Sequence, residues 1–134
     1  MAIRILIADD DPAIRRLFRR LLESQPGWQV CGEAVDGVDA IVQTLVAAPD
    51  LAILDLGMPC KNGIEAARAI SQFNPDLPLL LISVQDISEQ LAEAARQAGF
   101  RGTITKSRGR EVIPGVEAVL RNQPFFQKTG WTTA

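Results

Sequence analysis

The sequence contains no histidine and only two cysteines, Cys31 and Cys60. Without histidine, Ser-His-Asp and Cys-His catalysis are excluded, and so is any metal held by imidazole. Two cysteines in a chain without a signal-peptide pattern fit a reducing, cytoplasmic setting. Cys31 is expected in a strand and Cys60 in a loop, with no disulfide between them. No apolar run approaches the ~18 residues of a membrane span. Lysine and arginine number 14 against 16 aspartates and glutamates, so the formal charge of −2 provides no strongly basic face for nucleic acid. Neither a membrane nor DNA is an expected direct partner. Chemistry here must use oxygen ligands, lysine or hydroxyls.

What is present is alternation. With 134 residues the chain closes one core and has no room for two. Residues 1–121 are read as the domain and 122–134 as a tail or the start of a linker, any output domain lying elsewhere. Short runs rich in Ile, Leu and Val recur at 3–8, 28–34, 51–54, 79–83 and 102–105, most without the polar alternation of a half-exposed strand. Between them the period becomes helical. Ile14, Leu17, Phe18, Leu21 and Leu22 mark one face of a helix that begins at Asp11-Pro12, an N-cap followed by proline. Further helices are expected at 38–47, 64–73, 87–98 and 111–121, with Asp36 and Asp86 as N-caps and Pro114 disturbing the last first turn. Five strand-helix alternations predict a doubly wound α/β fold with a five-stranded parallel sheet in the flavodoxin-like order 2-1-3-4-5 and five helices.

In such sheets the functional crevice lies beyond the carboxyl ends of the strands flanking the switch point. Strand 1 ends at Asp9 and Asp10, strand 3 at Asp55, strand 4 at Ser83 and strand 5 at Lys106. Three carboxylates would then converge. Each like-charge pair near 4 Å costs roughly 4 kcal/mol at an effective dielectric of about 20, so either one carboxyl keeps its proton or a cation sits there. An all-oxygen donor set suits a hard divalent ion, Mg²⁺ better than Ca²⁺. Lys106 and Ser83 offer an ammonium and a hydroxyl, both good partners for phosphate oxygens. Asp55 is thereby a candidate nucleophile for a phosphoryl group.

The segments ILIADDDP, AILDLGMPCKNGIEA, LLLISVQD and GFRGTITKS resemble the receiver domain of bacterial two-component response regulators, over residues 3 to 121. GEAVDGVDA and AILDLGMP are closest to the subfamily that carries a helix-turn-helix DNA-binding domain after the receiver. The resemblance implies that Asp55 is phosphorylated by a sensor histidine kinase or a phosphotransfer protein. It implies Mg²⁺ (or Mn²⁺) bound by Asp10, Asp55 and the backbone carbonyl of Gly57, with Asp9 assisting through water. Ser83 and Lys106 would contact the phosphoryl group, and Ser83 would relay its presence to the face of helix 4, strand 5 and helix 5; a phosphorylation-dependent homodimer is a further expected partner state. Thr103 stands where the family usually has an aromatic that swings inward, and Phe100 is a core filler or its substitute. Val84 replaces a small residue and narrows the approach to Asp55, while Gln85 and Gly57 occupy positions that tune phosphoryl lifetime. Ser107 follows Lys106 where many receivers have a cis-proline.

Two other functions fit parts of this pattern. A phosphatase of the haloacid-dehalogenase type also places a nucleophilic aspartate after a strand, but needs a second aspartate two residues on, where this chain has Gly57. A receiver fold used purely as an interaction module is the other, suggested by Thr103 and Val84. The stripe Arg15, Arg16, Arg19 and Arg20 reads as a solvated helix face, with kinase docking as its rival role. Three of the chain's aromatics fall in the tail, which must fold back or meet a partner.

Overall fold

In a computed structural model, which describes residues 2–126, every expected strand forms. They are β1 (Ile3–Ala8), β2 (Trp28–Ala34), β3 (Leu51–Asp55), β4 (Leu79–Ser83) and β5 (Phe100–Thr105). All pair in parallel, in the order β2-β1-β3-β4-β5. All five residues of β3 and of β4 are buried, which is why these runs lack polar alternation.

The helices are α1 (Pro12–Glu23), α2 (Gly37–Ala47), α3 (Gly63–Phe73), α4 (Glu89–Ala98) and α5 (Val112–Leu120). Successive strand residues feed the two layers of the core, one on each face of the sheet. Ile5, Ile7, Ile53, Leu80 and Ile82 pack with Phe18 and Leu22 of α1 and Val116 and Val119 of α5. Leu6, Ala8, Leu54 and Leu81 pack with Ala66 and Ile70 of α3 and Ala95 of α4 on the opposite face. The winding direction reverses after β2, so β1 and β3 flank the switch point.

Local details depart from the sequence pattern in three places. Helix α4 is capped by Ser88, whose hydroxyl accepts from Leu91 N–H at 3.0 Å, and not by Asp86. Ile87 is in phase with the helix but precedes the cap as a fully buried anchor, the place of a hydrophobic staple. Pro114 lies within the first turn of α5, where its missing N–H is one that no helix bond would use, and a 3₁₀ segment (Lys106–Glu111) carries the irregularity before it. A short sixth strand, β6 (Phe125–Phe126), extends the sheet beyond the five expected, pairing Gly102 with Phe125 and Thr103 with Phe126. Two glycines make room for it. A Cβ on Gly102 would lie 2.5 Å from the Phe125 carbonyl oxygen, and one on Gly115 would lie 3.2 Å from the Phe125 ring. Part of the aromatic tail therefore folds back on the domain, with Arg96 of α4 4.4 Å above the Phe126 ring. Trp131 lies outside the described residues. Cys31, half-buried in β2, and Cys60, exposed after β3, are both free. Among the described residues no helix is long and apolar enough to cross a membrane.

Candidate functional site

The ends of β1, β3, β4 and β5 meet at one cleft of about 440 Å³, lined among others by Asp10, Asp55, Gly57, Ser83 and Lys106. Asp9 is fully buried and Asp55 is 4% exposed, whereas Asp10 is exposed. Oxygen atoms of these three carboxylates all lie within 4.8 Å of one another. Lys106 stands opposite, its Nζ 2.8 Å from Asp9 Oδ2 and 3.0 Å from Asp55 Oδ1. The other Asp9 oxygen accepts the Asp11 N–H at 2.8 Å, while the Asp11 carboxylate accepts from Ala13 N–H and begins α1. The three adjacent aspartates thus stand in three different surroundings: Asp9 buried against Lys106, Asp10 exposed in the cleft and Asp11 capping α1.

Loop geometry fixes Asp55 from behind. Leu56 N–H continues the ladder to the Ile82 carbonyl at 2.9 Å, and Gly63 N–H returns to the Leu56 carbonyl at 3.1 Å. A Cβ on Gly63 would come within 2.4 Å of the Asp55 carbonyl oxygen, so the chain can enter α3 this close to the acidic site only as glycine. Gly57 donates its N–H to the Asp55 carboxylate. Ser83 is buried, and its hydroxyl accepts from Gln85 N–H at 3.1 Å. Val84, 81% exposed, and Gln85 stand at the mouth.

Burial raises the Asp55 pKa, the nearby Asp9 charge adds to this, and the Lys106 ammonium works against it. For Lys106, burial disfavours the charge, but its bonds to Asp9 and Asp55 prevail and hold the pKa above that of an ordinary lysine. Three carboxylates therefore face one ammonium, and the site is short of positive charge. Clustered oxygen donors, one exposed and no sulfur or imidazole among them, fit a hard divalent cation.

The model of the response regulator receiver domain matches residues 5–115. This chain belongs to the receiver-domain family. A two-component response regulator of the LuxR family from Aurantimonas sp. SI85-9A1 superposes with a TM-score of 0.89 at 32% identity, over 96% of this chain and 91% of that one. The uncharacterized transcriptional regulatory protein YxjL of Bacillus subtilis (strain 168) is 31% identical over 125 residues, which are 93% of this chain and 57% of the relative. The response regulator UvrY of Escherichia coli (strain K12) is 32% identical, over 92% of this chain and 57% of its own length. The chain spans a little over half the length of these two relatives.

In this receiver domain Thr103 is fully buried, and among the described residues its hydroxyl has no hydrogen-bond partner. An unmet buried hydroxyl costs about 1–3 kcal/mol. Thr103→Val should accordingly stabilise the receiver by about 1 kcal/mol in urea unfolding, and a loss of stability would show that the hydroxyl is bonded after all. Phe100, 2% exposed, packs in the core shared with α3 and α4.

The arginine stripe is only partly the solvated face it resembles. Arg16 and Arg20 are exposed, but Arg15 and Arg19 both reach Glu33 of β2, at 3.0 and 2.8 Å. Burial tends to raise the Glu33 pKa, but its bonds to Arg19 and Arg15 outweigh this and lower it. The sequence pattern places Arg15 on a solvated face and gives Glu33 no role. The available signal was a carboxylate at the end of an otherwise apolar strand, with arginines spaced i, i+4 on the preceding helix.

Proposed function

We propose that this receiver accepts a phosphoryl group on Asp55 from a sensor histidine kinase or a phosphotransfer protein, in a reaction that depends on Mg²⁺ or Mn²⁺. The observation that carries this is Lys106 bridging Asp9 and Asp55 with the Asp10 carboxylate beside them. An Asp55 carboxylate oxygen attacks phosphorus, a new O–P bond forms, and the donor's bond to phosphorus breaks with its electron pair leaving on the donor. Asp10, Asp55 and the Gly57 carbonyl would hold the cation, and Asp9 would support it through water while anchoring Lys106. When bound, the cation neutralises charge on the transferring group. Lys106 and the Ser83 hydroxyl hold phosphoryl oxygens. Gly57 stands two residues after Asp55, where a phosphatase of the haloacid-dehalogenase type needs its second aspartate, so the domain takes up and loses a phosphoryl group at Asp55 rather than working as a multiple-turnover phosphatase.

The signal passes from Ser83 to the face of α4, β5 and α5. Val84, Gln85 and Thr103 tune lifetime and relay. Residues 1–121 act as the switch and 122–134 lead towards a DNA-binding output domain or a separate effector. Contact with DNA is made by that output and not by this domain, phosphorylation favours a homodimer, and the setting is cytoplasmic. Incubation with Mg²⁺ and acetyl phosphate should add about 80 Da, one phosphoryl group, to the intact chain. No addition with Mg²⁺ present, or an equal addition in EDTA, would contradict the reading.

A further inference from the structure

Arg15 makes a contact that the phosphoacceptor chemistry does not account for. Its Nη1 donates to the main-chain carbonyl of Asp9 at 2.7 Å while its Nε donates to Glu33 at 3.0 Å. The side chain is 16% exposed. Asp11 as N-cap brings it there, because the first turn closes with Arg15 N–H on the Asp11 carbonyl at 3.1 Å and folds the guanidinium back over the end of β1.

The Asp9 carbonyl belongs to the peptide that joins Asp9 to Asp10. That peptide is planar, so the direction of its carbonyl also sets the direction in which Asp10 leaves. Asp9 is secured on other sides, by its own N–H on the Ala34 carbonyl at 3.0 Å and by Lys106. Asp10 is not. Among the described residues no group is hydrogen-bonded to its carboxylate, so its placement depends on its backbone.

We propose that Arg15, braced by Glu33, is a positioning residue for the cation site, holding the Asp9–Asp10 peptide so that the Asp10 carboxylate stays aimed into the cleft. This rests on the phosphoacceptor reading. The brace needs a guanidinium, since one planar group must serve the carbonyl and the carboxylate at once, and a lysine ammonium on a flexible stem would leave one of them. Arg19 also pairs with Glu33 but makes no such bond to β1, so it serves as the internal control.

Mn²⁺ affinity, measured by paramagnetic relaxation, and thermal stability are to be compared in wild type, Arg15→Met, Arg15→Lys and Arg19→Met. Arg15→Met is expected to bind Mn²⁺ about 10-fold more weakly, in the range seen when an outer partner of a metal ligand is lost. Arg15→Lys should fall between it and wild type. Arg19→Met should bind as wild type does, despite losing an ion pair to the same glutamate. Acetyl phosphate labelling of Arg15→Met should be slowed at low Mg²⁺ and recover towards wild type at saturating Mg²⁺. Unchanged Mn²⁺ affinity in a folded Arg15→Met, or equal weakening in Arg19→Met, would overturn the proposal. If Arg15→Met does not fold, Arg15→Lys decides by the same criterion. A wild type that binds no Mn²⁺ and takes no phosphoryl group would instead refute the phosphoacceptor reading.

Discussion

Asp55→Asn removes the Mg²⁺-dependent addition of about 80 Da on treatment with acetyl phosphate, because the amide that replaces the carboxylate has no oxygen nucleophile to offer. The substitution keeps shape and burial, so the loss is chemical and not a consequence of unfolding. Asp55 is 4% exposed with Lys106 at 3.0 Å, and the neutral side chain still fits there. Folding stability supplies a second reading. The Asp55 pKa is raised, first by burial, so at neutral pH the metal-free fold carries an unfavourable charge that asparagine lacks. A raised pKa stabilises the fold at low pH and loses that contribution as pH rises through it. Without Mg²⁺ the variant should therefore be the more stable at neutral pH, and the difference should shrink as pH falls through the raised Asp55 pKa. Intact-protein mass spectrometry checks the first outcome and urea unfolding at several pH values the second. Phosphoryl addition persisting in Asp55→Asn would place the acceptor elsewhere.

Lys106→Met is the substitution with the largest expected effect on the fold itself. The ammonium contacts two carboxylates, at 2.8 and 3.0 Å, and its side chain is 10% exposed. Removing one member of a buried ion pair leaves an uncompensated charge and costs about 3–5 kcal/mol. That is a large share of the roughly 5–15 kcal/mol by which a domain is stable. Asp9, fully buried, loses its counter-charge altogether. Mg²⁺ should recover part of the loss, and should stabilise the variant more than it stabilises wild type, because each carboxylate then gains a partner it would otherwise lack. Urea titrations with and without Mg²⁺ test both statements. A loss under about 1 kcal/mol would mean that the bridge is not a buried ion pair in solution.

The central strands β3 and β4 were the most legible because both are buried throughout and the code for that is simple: an unbroken apolar run ended by a polar residue. The role of Asp11 was legible too, since Pro12 marks where the helix begins and assigns Asp11 to its cap. Ile87 misled because a buried anchor one residue before a cap has the same phase as the helix that follows. For Arg15 and Glu33 the residue types and the i, i+4 spacing were visible, but their pairing was not. Their meeting depends on β2 lying beside β1, and no pattern within either segment contains that fact. The two residues of β6 carry no strand signal of their own. They pair because Gly102 and Gly115 omit side chains on elements distant in sequence, and only the assembled sheet brings those gaps together.

The claim on which the rest depends is that aspartates from β1 and β3 hold one divalent cation opposite Lys106. Anomalous diffraction from crystals grown in Mn²⁺ tests it most directly. The account predicts a peak within metal–oxygen bonding distance of the Asp10 and Asp55 carboxylates and the Gly57 carbonyl, and no peak there in Asp55→Ala. A peak on other side chains, or none at this cleft with Mn²⁺ in excess, would contradict it.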